Sequence, residues 1–245
     1  HVQPRDQIKI DFSQNDRFTD ENGFFSFDTL IDARYMLMVS HEDYESLQRK
    51  DVQPSQEEVS LRLGPGGRLA GFVLDAQSNE PIAGATVSAS DLANLRKEAV
   101  TDEAGAYIIG GLSSGRRPVN VYVRAENYAR QKKQVAIRKG QEYEQIFELY
   151  QTGSVLGTVV NTAGDVIPGA HVEVRPASDA QTTLRVLGNA TSDRTGSFMI
   201  GNVEPGEELE VRVKMTGYLE SYSDKFALAS GQEVEIGNLE IQLGG

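Results

Sequence analysis

The sequence predicts an all-β chain of three tandem antiparallel β-sandwich repeats, over residues 1–63, 64–150 and 151–245, with the first repeat incomplete at its N-terminus. Three observations carry that prediction. One turn motif occurs three times, a strand-like alternation of apolar and polar residues follows each copy, and no segment shows the apolar stripe and caps of a helix.

The turn motif is Thr19-Asp20-Glu21-Asn22-Gly23-Phe24-Phe25, then Thr101-Asp102-Glu103-Ala104-Gly105-Ala106-Tyr107, then Ser192-Asp193-Arg194-Thr195-Gly196-Ser197-Phe198. Its oxygens suggest a calcium loop, which needs alternating ligands and a bidentate Glu at the twelfth position between helices. Counting from Asp20, that position holds Ile31. The middle positions also lose their oxygens from copy to copy, so coordination is not what the copies share. They share hairpin chemistry: an Asp able to accept the backbone N–H two residues on, and a Gly that supplies a positive φ. Asp20, Gly23, Asp102, Gly105, Asp193 and Gly196 are therefore expected to shape turns.

A strand puts residues i and i+2 on one face. Phe25 with Phe27, Tyr107 with Ile109, and Phe198 with Ile200 are thus expected to be inward pairs on three strands, the first of them Phe24–Phe27. A lone aliphatic lies five residues past each first ring, at Leu30, Leu112 and Val203. A polar link and a second alternating strand come next: Tyr35-Leu37-Val39, Val119-Val121-Val123 and Leu209-Val211-Val213. Five residues beyond each stands a tyrosine, Tyr44, Tyr128 or Tyr218, whose ring is expected to close the end of a core.

The later repeats also have a legible front half. Gly71-Phe72-Val73-Leu74-Asp75 leads to Pro81-Ile82-Ala83-Gly84-Ala85, and Gly157-Thr158-Val159-Val160-Asn161 leads to Ile167-Pro168-Gly169-Ala170. Residues 92–98 and 180–190 vary most and are expected to be loops or a brief helical turn. Leu61-Arg62-Leu63, Phe147-Glu148-Leu149 and Leu239-Glu240-Ile241 mark repeat ends. Gly64-Pro65-Gly66-Gly67 reads as a looser link than Gln151-Thr152. His1-Val2 lines up with His171-Val172, so the sequence is expected to begin inside a repeat.

The order G-x-V-x-D/N, P-I-x-G-A, T/S-D-x-x-G-x-F/Y, then N-Y or G-Y, resembles the carboxypeptidase regulatory-like domain over nearly the whole chain. The resemblance implies a transthyretin-like, immunoglobulin-like β-sandwich, similar to the B-type repeats of bacterial surface adhesins. It also implies an accessory role beside peptidases, outer-membrane receptors or envelope proteins.

Catalytic and metal chemistry finds little support in the residues. The only histidines are His1, His41 and His171, and none has Glu three positions on, as a zinc carboxypeptidase requires. Gly111-Leu112-Ser113-Ser114-Gly115 fits G-x-S-x-G, but lies between two strands rather than on a strand-to-helix turn. An internal Lys–Asn amide has one candidate pair, Lys214 and Asn238, with Lys214 expected to face outward. No cofactor, metal or catalytic residue is expected, and the chain reads as non-enzymatic.

Composition bounds the partners. A net charge of −12 argues against a nucleic-acid backbone, and the absence of cysteine excludes disulfides and thiolate sites. No segment has the apolar length of a membrane helix. Positive charge gathers in the middle repeat at Arg116, Arg117, Arg130, Lys132 and Lys133, the candidate surface for a glycan, an anionic polymer or a neighbouring domain. Trp, the usual sugar platform, is absent. Taken with these readings, the resemblance implies a spacer or interaction segment of an exported bacterial envelope protein, periplasmic, surface-located or secreted. Its expected partners are other domains of the same polypeptide or other envelope proteins. A glycan- or anionic-polymer-binding module, or accessory domains of a metallocarboxypeptidase or outer-membrane receptor, is the alternative.

Overall fold

The computed structural model describes residues 9–11, 17–28, 30–54, 58–90, 96–113, 118–177 and 185–244. Every regular element among them is a β-strand. They gather into two compact units: one of His1–Leu74, Pro81–Arg124 and Gln131–Phe147, the other of Asp75–Glu80, Ala125–Arg130 and Glu148–Gly245.

In the first unit, β1 (Lys9–Asp11), β2 (Arg17–Phe18), β3 (Tyr35–Ser40) and β4 (Leu47–Val52) form one antiparallel sheet in the order β2-β1-β3-β4. Its pairing corrects the sequence alignment. Lys9 faces Ser40, as His171 faces Lys214 four residues before the corresponding tyrosine, so Lys9 and not His1 holds the place of His171. The shared His-Val dipeptide is coincidental.

Phe24–Phe27 is a second correction, because no strand is assigned there. The equivalent segments in the later repeats pair with an opening strand, and the described residues of the first repeat contain none. Phe25, Phe27, Leu30, Leu61 and Leu63 still pack against buried Leu37 and Val39, but stay only partly buried. A sheet face with no strand across it has nothing to complete its core.

The same unit holds the next repeat. The strands are β5 (Gly67–Asp75), β6 (Thr86–Ser90), β7 (Arg96–Val100), β8 (Ala106–Leu112), β9 (Val119–Arg124), β10 (Gln131–Val135), β11 (Glu142–Glu144) and β12 (Phe147–Leu149), the last residues of β5 and β12 lying in the second unit. One sheet runs β10-β9-β6-β7, the other β11-β5-β12 with β8 on β5. Alternation drives the burial on β5 and β9: Leu69 and Val73 of β5 and Val119, Val121 and Val123 of β9 are buried, while their neighbours reach solvent. Burying each such side chain stabilises by about 1.5–3 kcal/mol. Arg96–Val100 is an edge strand, where the sequence suggested a loop across 92–98. Its alternation is of charge and half-burial rather than apolarity.

The second unit is a complete sandwich of β13 (Gly153–Asn161), β14 (His171–Pro176), β15 (Gly188–Thr191), β16 (Ser197–Val203), β17 (Gly206–Lys214), β18 (Ser221–Tyr222), β19 (Phe226–Leu228) and β20 (Glu233–Ile241). One sheet is β16-β13-β20 and the other β15-β14-β17-β18 with β19 on β17. Both supply the core, with Val155, Phe198 and Leu239 from one face and Val172, Val211 and Leu228 from the other. Strand β15 takes part of the variable stretch 180–190. Two closing strands run parallel to the opening one, β11 on β5 and β20 on β13.

Candidate functional site

The repeated Asp-Gly motif has the same geometry three times. The Asp20 carboxylate accepts from the N–H groups of Asn22 (2.9 Å) and Phe24 (2.8 Å). Asp102 accepts from Ala104 (3.0 Å) and Ala106 (2.9 Å), and Asp193 from Thr195 (2.8 Å) and Ser197 (3.1 Å). Gly23, Gly105 and Gly196 sit at φ 79°, 72° and 75°. The Thr195 hydroxyl first, and its N–H next, hold the Asp193 carboxyl below its ordinary pKa. These carboxylates are engaged with backbone, and among the described residues no three His, Cys, Asp or Glu converge on a metal position.

The hydroxyl before the Asp has a separate task. Thr101 Oγ1 accepts from Ala85 N–H (2.8 Å) and donates to Ile82 C=O (2.7 Å), and Ser192 Oγ does the same for Ala170 N–H (2.9 Å) and Ile167 C=O (2.8 Å). Both residues are buried. They stitch the hairpin to the segment that opens the second strand.

The repeated tyrosines mark repeat ends, each bridged by its backbone to the chain that follows: Tyr44 to Pro65, Tyr128 to Gln151 and Tyr218 to Leu243. Tyr218 packs on the third-repeat core. The Tyr44 ring is 44% exposed and meets the His41 ring edge-on at 4.9 Å, so it closes no core. Gly64-Pro65-Gly66 is also pinned rather than loose, since Glu45 N–H donates to Gly64 C=O and Gly66 N–H to Asp43 C=O, both at 2.9 Å. Lys97 Nζ adds bonds to the carbonyls of His41 (2.8 Å) and Gly111 (2.6 Å).

In the second unit the Tyr128 hydroxyl donates to Asp75 Oδ2 (3.0 Å), and so does Gln151 Nε2 (3.0 Å). The other carboxylate oxygen takes the N–H groups of Gln77 and Ser78. Ser78 N–H above all, with Gln77 N–H, Gln151 and Tyr128, holds the buried Asp75 carboxyl down at about 2 against its burial. Tyr107, inward on β8, donates to Gln145 C=O (2.8 Å), and burial pushes its hydroxyl well up.

Among the described basic residues of the middle repeat, Arg130, Lys132 and Lys133 have different surroundings. Arg116 and Arg117 lie outside the described residues. Arg130 is exposed directly before β10. Lys133 donates to Ile146 C=O (2.9 Å) with its ammonium 5.0 Å from the Phe147 ring centre, a structural contact. Lys132 remains outward, 5.3 Å above the ring of Tyr122, which is 42% exposed. The pairing places Lys132, Tyr122, Ser88 and Glu98 in one row across the sheet and Gln134, Asn120, Ser90 and Arg96 in the next. Tyr122 was not singled out from the sequence, although the alternation Val119-Val121-Val123 already turns it outward.

The corresponding face of the third repeat carries an ion network. Arg212 forms a two-nitrogen pair with Glu173 Oε2, His171 meets Glu173 Oε1 (3.1 Å), and Arg175 Nε pairs with Glu210 (2.9 Å). Burial opposes ionisation of Glu173, but Arg212 chiefly, then Lys214, keeps its carboxyl below the ordinary range. Lys214 faces this network and Asn238 lies on the opposite sheet, so the candidate amide pair is not brought together. Ser113 is buried just after β8.

A sequence profile described as the carboxypeptidase regulatory-like domain matches residues 68–150 and again 154–243. No curated protein matches the chain. Among solved structures, the minor pilin of Streptococcus agalactiae is similar at 13% identity, covering 73% of this chain and 97% of its own, with a TM-score of 0.44. A streptococcal ancillary pilin is 12% identical, covering 86% and 76%, at 0.39. The shaft pilin of Lactobacillus rhamnosus GG is 11% identical, covering 74% and 98%, at 0.32.

Proposed function

The chain belongs to the carboxypeptidase regulatory-like domain family, and on that premise we propose that it is a non-catalytic structural and interaction segment of a larger exported protein of the bacterial envelope. One observation supports this most: the polar side chains that recur between repeats are engaged in holding backbone. Asp20, Asp102 and Asp193 order turns, Thr101 and Ser192 join hairpin to strand, and Asp75 and Tyr128 join the end of β5 to Gln151. Catalysis needs an activated nucleophile within reach of a base. The motif serine, Ser113, is buried at a strand end.

The reading is tested with a panel of ester, peptide and glycoside substrates. The expected result is turnover at the buffer rate for the chain and for Ser113→Ala alike. Turnover by the chain that Ser113→Ala abolishes overturns the proposal.

A second reading rests on the outward face of β9 and β10. An exposed tyrosine under a lysine, beside Asn120, Gln134 and Ser90, offers one stacking ring, one positive charge and several hydrogen-bonding groups to an acidic glycan. On glycan arrays, Tyr122→Ala and Lys132→Ser should remove binding, and salt should weaken it. Binding that survives both substitutions, or none at any salt, sinks this reading.

A further inference from the structure

The parallel pairing of β13 with β20 has a mechanical consequence. Seven Cα pairs, from Ser154–Glu233 to Asn161–Ile241, join the first and last strands of the third repeat side by side and in the same direction. The chain therefore enters at Gly153 beside one end of the ladder and leaves at Ile241 beside the other. A nine-residue strand separates those points by about 30 Å. Tension applied through the chain slides β13 along β20, and the ladder bonds, lying across the pull, resist together. A hairpin pulled at its open end parts one bond at a time.

The register is also keyed. Between Leu156 and Thr158 the pairing shifts, two residues of β20, Ile236 and Gly237, standing against one of β13, with Gly237 at φ 72°. Opposite the bulge stands Gly157, where a Cβ would lie 2.9 Å from Gly237 O and 2.8 Å from the Phe198 ring. Sliding by two residues brings a side chain into that space. Beneath the ladder Val155, Val159, Leu239 and Ile241 are buried in one core, so slip also unpacks apolar surface. In the middle repeat β11 pairs with β5 in the same sense, over three Cα pairs.

We propose that the third repeat is a tension-bearing element in which the parallel β13–β20 ladder, keyed at Gly157 and Gly237, acts as a shear clamp along the chain. This rests on the structural-segment reading and adds to it a specific task and the residues that perform it.

The sequence has no cysteine, so a pair of introduced thiols gives unique handles for single-molecule pulling on the full chain. Thr152→Cys with Leu243→Cys loads the ladder in shear. Thr162→Cys with Leu243→Cys grips the same repeat at one end of the ladder and peels it. At equal loading rate the shear pair should unfold at roughly twice the force of the peel pair or more, since forced unfolding is governed by the unfolding barrier. Equal thermal melting of the two proteins shows that direction, not stability, makes the difference. Ser154→Pro, pulled through the ends of the full chain, removes the N–H that donates to Gln232 C=O (2.9 Å) and should lower the force of that repeat. Equal shear and peel forces, a higher peel force, or no effect of Ser154→Pro overturns the clamp. Equal forces would leave the non-catalytic reading standing, whereas substrate turnover would remove that reading and leave the force asymmetry untouched.

Discussion

Single side chains carry much of the order between strands. Replacing Thr101 by Val removes the acceptor of Ala85 N–H and the donor to Ile82 C=O, both in a buried setting. The expected loss is about 1–3 kcal/mol in urea unfolding, with a similar loss for Ser192→Ala, whereas Ser154→Ala outside this motif should move the midpoint far less. Asp75 gives a pH signature. Its folded pKa of about 2 lies below the ordinary 3.8, so its contribution is complete above pH 4 and lost as pH falls through 2. The shift corresponds to roughly 2 kcal/mol. Urea midpoints of the protein and of Asp75→Asn should differ at pH 6 and converge near pH 2; a gap that persists in acid would count against the node. The Asp-Gly turns were legible in the sequence because partner and acceptor lie within four residues. The hydroxyls were not, because their partners lie 16 to 25 residues away, a distance no local pattern encodes. Lys133 shows the same limit: its partner, the Ile146 carbonyl, lies on a later segment.

At the level of elements, alternation announced the inner strands β3, β9 and β17, where one face is apolar throughout. It did not announce β7 and β15, whose outward faces are polar, nor which strands are neighbours. Periodicity fixes which face a residue takes and is silent about direction, so the parallel closing ladders became visible only in three dimensions. Phe24–Phe27 shows the converse: its residues alternate like a strand, yet among the described residues no opening strand lies alongside for them to join. Turns are the rigid points. Gly196 sits at φ 75°, and a Cβ there would stand 2.7 Å from Val159 O. Gly196→Ala should cost about 1–3 kcal/mol and lower the melting temperature by several degrees, while Gly201→Ala, which meets nothing within 4 Å, should change it little. Equal effects at the two positions would show that the turn conformation carries no strain for a side chain.

Across the whole molecule, stability is unequally distributed. Among the described residues, the third repeat has fifteen buried residues in one core and the first has two, Leu37 and Val39. Local opening follows buried apolar contact. Hydrogen exchange should therefore be fastest over 24–30 and 58–63 and slowest in β13, β14 and β17; protection of the first repeat equal to that of the third would contradict this distribution. The three-repeat organisation was legible because each copy must solve the same turn and packing problem with similar residues. The partition into two compact units was not, since it depends on turns of the middle repeat, Asp75–Glu80 and Ala125–Arg130, gathering with later residues. The opposed ends of the β13–β20 ladder have a genetic corollary as well. A coding segment for such a unit can be duplicated in frame and inserted after itself without rerouting the polypeptide around its own product, so unequal recombination can lengthen or shorten the array one whole unit at a time.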